Sequence, residues 1–365
     1  MPANRTTTDH SAVRPARILI VRLSAIGDVI HGLPVLCALR NALPDAFLSW
    51  VVEGRNGDLL EGHPALDELV RVPRRWWKSP REVWGLRRRL RELKFDVTID
   101  LQCLTKSAAA AWLSAAPRRI GKTRPDGREL SPWFHTELVA PGGAHVIEHY
   151  LGMLRPLGIE SPTPAVGSQT IDVSYDLPER GDDARTIDQF LHAHRLAAGR
   201  LAILNPGASW PSKVWPAERY GAVARYLASA HGLVSVAAWG VPEELPMAEA
   251  IVRTSGGHAV LAPPTSMTEL AALCRRAALF VGSDTGPMHL AVAVGTPTIS
   301  MHGPSRAEWC GAYGPQHRRL QARYEAGSAL ERRQADDAAM RAISVELVRR
   351  ACDEILGQMA ARHCG

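Results

Sequence analysis

Residues 17–23 (RILIVRL) form a nearly unbroken apolar run of the length of a buried strand. A short loop, 24–27, leads to Asp28. Beyond it Ile30, Leu33, Leu36, Leu39 and Leu43 return at helical spacing. Residues 47–53 (FLSWVVE) and 69–72 read as further strands. Val83, Leu86, Leu90 and Leu93 mark one side of a helix whose other face is rich in arginine. A strand at 96–101 and an Ala-rich helix near 106–115 follow. The pattern blurs over 161–185, where Pro, Gly, Ser and Asp accumulate, and then restarts. Strands are predicted at 201–204, 233–239, 278–281 and 298–301. Helices are predicted at 216–230, 243–253, 267–276, from about 287, and at 345–359. Strands alternating with helices predict parallel βαβ units, and no short tandem repeat is present.

The chain has 365 residues, which suits two domains better than one. The expected organisation is α/β: a polar tail over 1–16, a first Rossmann-like domain over 17–175, a linker over 176–198, a second over 199–340, and a closing helical segment, 341–365, packed back on the first domain. Two open α/β units of similar size imply a cleft between them. Ligands of such sheets bind beyond the carboxyl ends of the strands.

Composition narrows the class. Hydrophobic residues make up 46% and charged residues 22%, which excludes a disordered or fibrous chain. The six cysteines, at 37, 103, 274, 310, 352 and 364, form no C-x-x-C pair, so reduced thiols in a cytoplasm are expected rather than a disulfide or zinc scaffold. The opening MPANRTTTDHSAVRPAR lacks the apolar core of a signal peptide, and the longest tempting apolar stretch, 107–116, is half the length of a membrane span. The net charge of +6 is concentrated: 71–94 holds ten Lys/Arg against two Asp/Glu, leaving the rest of the chain at −2. Such a segment attracts phosphates, carboxylates, nucleic acid or an anionic membrane face.

Three loops carry candidate chemistry. Asp28 closes Ser24-Ala25-Ile26-Gly27-Asp28 at a helix start, where it either caps the helix or stands at the cleft edge as a proton acceptor. Asn205-Pro206-Gly207-Ala208-Ser209 with Lys213 follows the first strand of the second unit. It is an ordinary turn or an anion site, but not a Walker loop, because the G-x-x-x-x-G-K-[ST] pattern is missing. Gly282 to His289 (GSDTGPMH) joins a strand to a helix N-terminus through a Gly-rich turn, a geometry that binds anions. Asp284 there either caps the helix or holds sugar hydroxyls. The single D-T-G, in an α/β pattern, does not make an aspartic protease.

Two other features invite function. His145 to His149 spells H-x-x-E-H, an inverzincin-type zinc pattern, against the alternative of structural or acceptor-side histidines. Arg74-Arg75-Trp76-Trp77-Lys78 and Arg87-Arg88-Arg89-Leu90-Arg91 interleave bases with aromatics, as nucleic-acid or membrane surfaces do. The plainer reading of 87–91 is a solvated helix face. Arg74, Arg75 and Lys78 fall in a loop expected near the cleft mouth.

Together these segments resemble the heptosyltransferases of glycosyltransferase family 9, the lipopolysaccharide core enzymes. The resemblance runs from about Arg17 to Gly314. It rests on ILIVRLSAIGDVIHGLPVLCALR, WVVEG, IDLQCLTKSA, LNPGASWPSKVWPAERY and FVGSDTGPMHLAVAVGTPTISMHGPS, in that order. It implies a GT-B fold, two facing Rossmann-like domains, and an inverting transfer without a catalytic metal or other cofactor. Residue by residue, Asp28 matches the family's catalytic base. Lys213 matches the lysine near the donor phosphates, and Ser209 a hydroxyl of the phosphate loop. Glu244 matches the acidic residue that holds the nucleotide ribose, with its neighbour Glu243 as the alternative. Asp284, Thr285, Gly286 and His289 match the motif on sugar and diphosphate. Arg74, Arg75, Lys78 and Lys106 resemble the basic positions that meet an acidic acceptor.

The resemblance implies a nucleotide-sugar donor, ADP-heptose first, and an anionic glycolipid acceptor such as a Kdo-lipid A core. It also implies a cytoplasmic protein able to touch the inner face of the membrane, with no nucleic-acid partner. The phosphate loop NPGASWPSK departs from the charged or Thr-rich loops of many members, which leaves another nucleotide sugar as the alternative within the fold. From another class, a non-catalytic nucleotide or nucleic-acid binder would use the basic segment alone. The polar stretch 321–341 carries no assignment.

Overall fold

A computed structural model describes residues 16–160 and 171–363, with side chains to residue 359. The expected tail, 1–16, lies outside the described residues except for Ala16. The first unit contains β1 (Arg17–Val21), α1 (Ile26–Ala42), β2 (Phe47–Glu53), β3 (Glu68–Val72), α2 (Pro80–Glu92), β4 (Val97–Asp100), α3 (Thr105–Leu113), β5 (Arg118–Lys122), β6 (Glu137–Val139) and α4 (Val146–Gly152). The second begins with α5 (Gly181–Ala193). It continues through β7 (Leu201–Asn205), α6 (Ala217–His231), β8 (Val234–Ala237), α7 (Leu245–Thr254), β9 (Ala259–Leu261), α8 (Met267–Arg275), β10 (Leu279–Ser283) and α9 (Gly286–Ala293). It ends with β11 (Thr298–Met301), α10 (Ala307–Cys310), β12 (Arg318–Leu320), α11 (Ala329–Gln334), α12 (Ala338–Arg341) and α13 (Val345–His363).

Each unit is a six-stranded parallel sheet. The orders are β3-β2-β1-β4-β5-β6 and β12-β11-β10-β7-β8-β9, the same doubly wound order once each sheet is numbered from its own first strand. Central strands read as continuous apolar runs because both faces are covered. Ile20 pairs with Trp50 on one side and Ile99 on the other, and Val281 lies between Leu204 and Ile299. The strand order reverses between β1 and β4, and again between β7 and β10. Those two switch points are where crevices open, and the loops after β1, β7 and β10 carry the three candidate motifs.

The core has three parts. Leu19, Val21 and Val51 pack outward beneath α2 and α3. Leu204, Val281 and Ile299 pack beneath α6, α7 and α13. Between the sheets, side chains of α1 and α4 from the first unit and of α5, α8 and α9 from the second form one continuous apolar cluster, including Val29, Ile30, Leu33, Ile187, Met288 and Val292. The halves are therefore joined by a shared buried layer rather than by a tether alone.

Two expected boundaries are corrected. The segment 176–198 is not simply a linker, because α5 lies within it and buries Ile187 and Leu191. It packs along α8, and Arg276 bonds Asp188 at 2.5 Å. The closing helix α13 does not return to the first domain. Val348, Ala351, Cys352 and Ile355 form an apolar stripe buried in the second domain's outer core, and Glu354 pairs with Arg318 on β12 at 2.7 Å. The second domain thus extends to the end of the described residues.

Candidate functional site

On the first domain the site begins with the turn after β1. Helix α1 starts at Ile26, so Asp28 is its third residue and Ala25 occupies the cap position. The Asp28 carboxylate accepts from the Ala25 amide at 3.2 Å and from Arg22 Nη2 at 2.5 Å, with about 40% of the side chain exposed. It therefore helps close the helix start and also presents a carboxylate to solvent. Arg22 is almost fully buried, so its charge approaches Asp28 from the protein side.

The first turns of α1 and α9 abut. A Cβ at Gly27 would lie 2.6 Å from His289 Cδ2, and one at Gly286 would lie 2.5 Å from Ile26 Cγ2. Only glycine permits that approach. It brings the amide-rich starts of two helices, one from each domain, to the same crevice.

On the second domain, Lys213 Nζ donates to Asp284 Oδ2 at 2.6 Å and to the Asp284 carbonyl at 3.1 Å. Nε2 of His289 lies 3.1 Å from Asp284 Oδ1. Asp284 is thus not a helix cap; Thr285 holds that position. Burial opposes ionisation of Asp284, but the His289 hydrogen bond and the Lys213 charge outweigh it and hold the carboxyl well below its ordinary range. Thr285 Oγ1 donates to the Ser283 carbonyl at 3.2 Å. The His289 ring meets His31 of α1 with centroids 4.2 Å apart, which carries the contact back to the first domain. Burial, reinforced by His289 and His145, pushes His31 far below the usual histidine range and keeps it neutral.

These groups line one cleft of about 1240 Å³. Its walls include Asp28 and His31 from the first domain, and Ser209, Lys213, Glu244 and Glu243 from the second. Asp284, Thr285, Gly286 and His289 complete that side. Glu244 Oε2 accepts from the Gly240 amide at 2.9 Å. Ser209 is exposed at the rim. The structure therefore gathers Asp28, Ser209, Lys213, Glu244, Asp284, Thr285, Gly286 and His289 around a single space.

The four basic candidates lie outside that lining. Lys106 Nζ bonds Glu53 at 3.1 Å and Ser24 Oγ at 3.3 Å, next to the loop that carries Asp28. Trp77 covers it, with its ring centroid 5.1 Å from Nζ. Arg74, Arg75 and Lys78 are exposed in the turn before α2.

Sequence reasoning missed Arg306, Trp309, Tyr324 and Arg332, which also line the cleft. Tyr324 and Arg332 belong to the unassigned stretch 321–341. Arg332 is anchored by its Nη1 to the Pro304 carbonyl at 2.9 Å, and its own carbonyl accepts from Ser212 Oγ at 2.7 Å. That stretch is a wall of the pocket. Only its contact with the Lys213 turn reveals this, and no local pattern signals it.

The H-x-x-E-H pattern is structural. His145 precedes α4, where its Nδ1 accepts from the Ile147 amide and its Nε2 reaches the Gly311 carbonyl at 2.9 Å. Glu148 accepts from the Ala144 amide at 2.7 Å and from the Tyr313 hydroxyl at 2.8 Å. His149 Nε2 faces the Gly143 carbonyl. The three side chains fix a helix start and a domain contact, and they do not converge on a metal position. Among the described residues, Asp284, His302 and Cys310 do place one donor atom each within 4.8 Å. There Asp284 Oδ2 already accepts from Lys213, and the two His302 ring nitrogens face Ser305 and Ser300 hydroxyls. A cation would have to displace the ammonium. No helix among the described residues is long and apolar enough to cross a membrane.

Comparison with known proteins gives a consistent result. The model of glycosyltransferase family 9 (heptosyltransferase) matches residues 83–339. Lipopolysaccharide heptosyltransferase 1 of Pseudomonas aeruginosa is 32% identical over 314 residues, 82% of this chain and 81% of that protein. The enzyme of the same name from Escherichia coli K12 is 29% identical over 308 residues, 82% and 91% of the two chains. Among solved structures, a glycosyl transferase family 9 protein from Veillonella parvula superposes with a TM-score of 0.80 at 25% identity, covering 95% of this chain and 98% of that one. The E. coli heptosyltransferase WaaC with ADP-2-deoxy-2-fluoro heptose gives 0.71 at 24% identity, covering 93% and 99%.

Proposed function

The chain belongs to glycosyltransferase family 9, the heptosyltransferases, and from that membership we propose that it transfers heptose from ADP-L-glycero-D-manno-heptose to an anionic lipopolysaccharide inner-core acceptor of the Kdo-lipid A type. The two facing Rossmann-like units are the GT-B arrangement. The observation that carries the reading is one cleft with a solvent-facing carboxylate, Asp28, on one domain and a Lys213–Asp284–His289 cluster on the other.

The reaction is a single displacement with inversion. Asp28 takes the proton of the acceptor hydroxyl as its oxygen bonds to the anomeric carbon of the donor. The bond from that carbon to the diphosphate oxygen breaks, and ADP leaves with the electron pair. Lys213 and the amides at the start of α9 meet the charge that develops on the diphosphate, so no catalytic metal is required. Asp284, Thr285, Gly286 and His289 hold sugar and diphosphate, Ser209 adds a hydroxyl at the phosphates, and Glu244 receives the ribose. Arg22 holds the Asp28 carboxylate in place. Lys106 at the lip, with Arg74, Arg75 and Lys78 beyond it, attracts the acidic acceptor. The protein works in the cytoplasm, at the inner face of the membrane where a lipid-borne acceptor is found.

The test is direct. Purified protein given ADP-heptose and a Kdo-bearing acceptor releases ADP and yields a product with inverted anomeric configuration by NMR. Preference for UDP- or GDP-sugars in a donor panel would sink the heptose assignment while leaving the transferase reading intact.

A further inference from the structure

The outer layer of the first domain carries a surface that the reaction does not use. Helix α2 spends its apolar stripe, Leu86 and Leu90, on the sheet beneath it. Its outer face repeats Arg81, Trp84, Arg87, Arg88 and Arg91 at helical spacing, all exposed. A shallow groove of about 380 Å³ runs along Trp84, Arg87, Arg88, Arg91 and Glu92. Arg88 pairs loosely with Glu92 at 3.7 Å, whereas Arg81, Arg87 and Arg91 have no ion pair among the described residues.

Exposed aromatics flank this basic stripe. Helix α3 packs against both α2 and the turn Ser131–Phe134. Trp84 on α2 is 58% exposed, Trp112 on α3 is 53% and Trp133 in the turn is 83%, with Leu130 beside it at 59%. The Trp112 and Phe134 rings meet edge-on at 6.4 Å, which ties helix and turn together. Exposed aromatics gathered in one layer, rather than scattered singly over the surface, are characteristic of an interaction face.

We propose that this face, α2, α3 and the 130–134 turn, docks the protein on an anionic phospholipid bilayer. The tryptophans enter the headgroup boundary, and Arg81, Arg87, Arg88 and Arg91 meet lipid phosphates. Tryptophan favours that boundary because its ring is apolar and its N–H is not. Juxtaposed bases add attraction to an anionic leaflet. Outside 71–94 the chain carries a net −2, so the concentrated positive charge suits one face laid on a bilayer better than an extended nucleic-acid track. The location also fits. From the start of α2, the contacts run through Trp77 to Lys106 and on to Ser24, at the loop that carries Asp28. An acceptor whose tail stays in the bilayer would present its sugar at the cleft mouth. The inference deepens the lipid-acceptor reading above and rests on it for orientation, but the docking itself is independent of the sugar transferred.

The test is co-sedimentation of the full chain with phosphatidylcholine vesicles, with and without phosphatidylglycerol. The expected result is binding that requires phosphatidylglycerol and weakens at high salt. R87E/R88E/R91E should reduce partitioning by more than ~10-fold, and W84A/W112A/W133A should reduce it at unchanged charge. Both variants should keep full turnover on a deacylated, water-soluble acceptor and lose it on a vesicle-embedded one. Partitioning that ignores phosphatidylglycerol or both variants overturns the proposal, as does tighter retention on duplex DNA than on vesicles. Turnover on the soluble acceptor without vesicle binding defeats the docking face alone. Vesicle binding without turnover on either acceptor supports the face and defeats the reaction.

Discussion

Lys213 and Asp284, 71 residues apart in the chain, share an ion pair at 2.6 Å on the wall of the cleft. Each is largely buried, with 13% and 7% of its side chain exposed. In the proposed reaction this pair is preorganised, because Asp284 fixes the ammonium on the cleft wall before any donor binds. Lys213→Ala is expected to lower kcat by ~10²–10³-fold and to weaken ADP binding. Because Asp284 would then lose the charge that helps keep it ionised, Lys213→Ala/Asp284→Asn should lose less than the two single variants added together. Additive losses in steady-state kinetics would show that the two side chains act separately.

Asp28 stands on the other domain and touches no residue of that pair directly. Asp28→Asn keeps the size of the side chain and a carbonyl oxygen for the Ala25 amide. It should reduce turnover by ~10²–10⁴-fold and leave ADP affinity by calorimetry within about twofold, a change too small to count in binding energy. Retained turnover would remove Asp28 from the role of base.

Stability should fall in acid through buried histidines. Burial pushes His145 down to about 3 and His302 down to about 4, while an unfolded chain titrates them near ~6.5. As pH falls from ~6.5 towards ~4, the unfolded state gains protons that the folded state refuses. Stability is therefore full above the unfolded value and declines by roughly 1.4 kcal/mol per pH unit for each such histidine. Thermal melts across that window measure the slope. His145→Asn, which retains a capping side chain, should flatten it.

The touching helix starts make a steric prediction. Gly286→Ala places a methyl 2.5 Å from Ile26 Cγ2, so α9 must shift against α1. We expect a loss of ~1–3 kcal/mol in stability, typical of overpacking, and reduced turnover. Ile26→Ala in the same chain should restore a large part of both. Failure of that rescue in melting and rate measurements would place the damage elsewhere.

Charge stabilisation by Lys213 and helix amides predicts indifference to chelators. Turnover should be unchanged after treatment with EDTA, and metal analysis of active protein should find no stoichiometric ion. Loss of activity that zinc restores would assign Asp284, His302 and Cys310 a metal that the proposed reaction does not need.

The sequence showed most clearly what is local and apolar. Strand β2 was predicted over the residues it occupies, and β11 likewise, because both are short apolar runs bounded by loops. The loops after β1, β7 and β10 could be read as a site because strand, glycine and helix start follow one another in the chain. Strands β5, β6, β9 and β12 escaped notice: Arg118–Lys122, Glu137–Val139 and Arg318–Leu320 carry charged side chains, and Ala259–Leu261 is only three residues long. The stripe of Val348, Cys352 and Ile355 announced that α13 is buried but not against which domain. Arg332 reaches the cleft through the packing of α11 on the Lys213 turn, and Tyr324 through its ring beneath Arg306, long-range contacts that no periodicity encodes.

The apolar layer between the sheets sets how the molecule can move. Parting the two halves would wet Val29, Ile30, Met288 and Val292 together, at about 25 cal/mol for each Å² of apolar surface exposed. A wide clamshell swing is therefore costly, and the layer acts as a weld. In the proposed reaction, donor would enter and ADP would leave past the open rim of the crevice, where Ser209 and Arg306 are exposed, with the seam behind them intact.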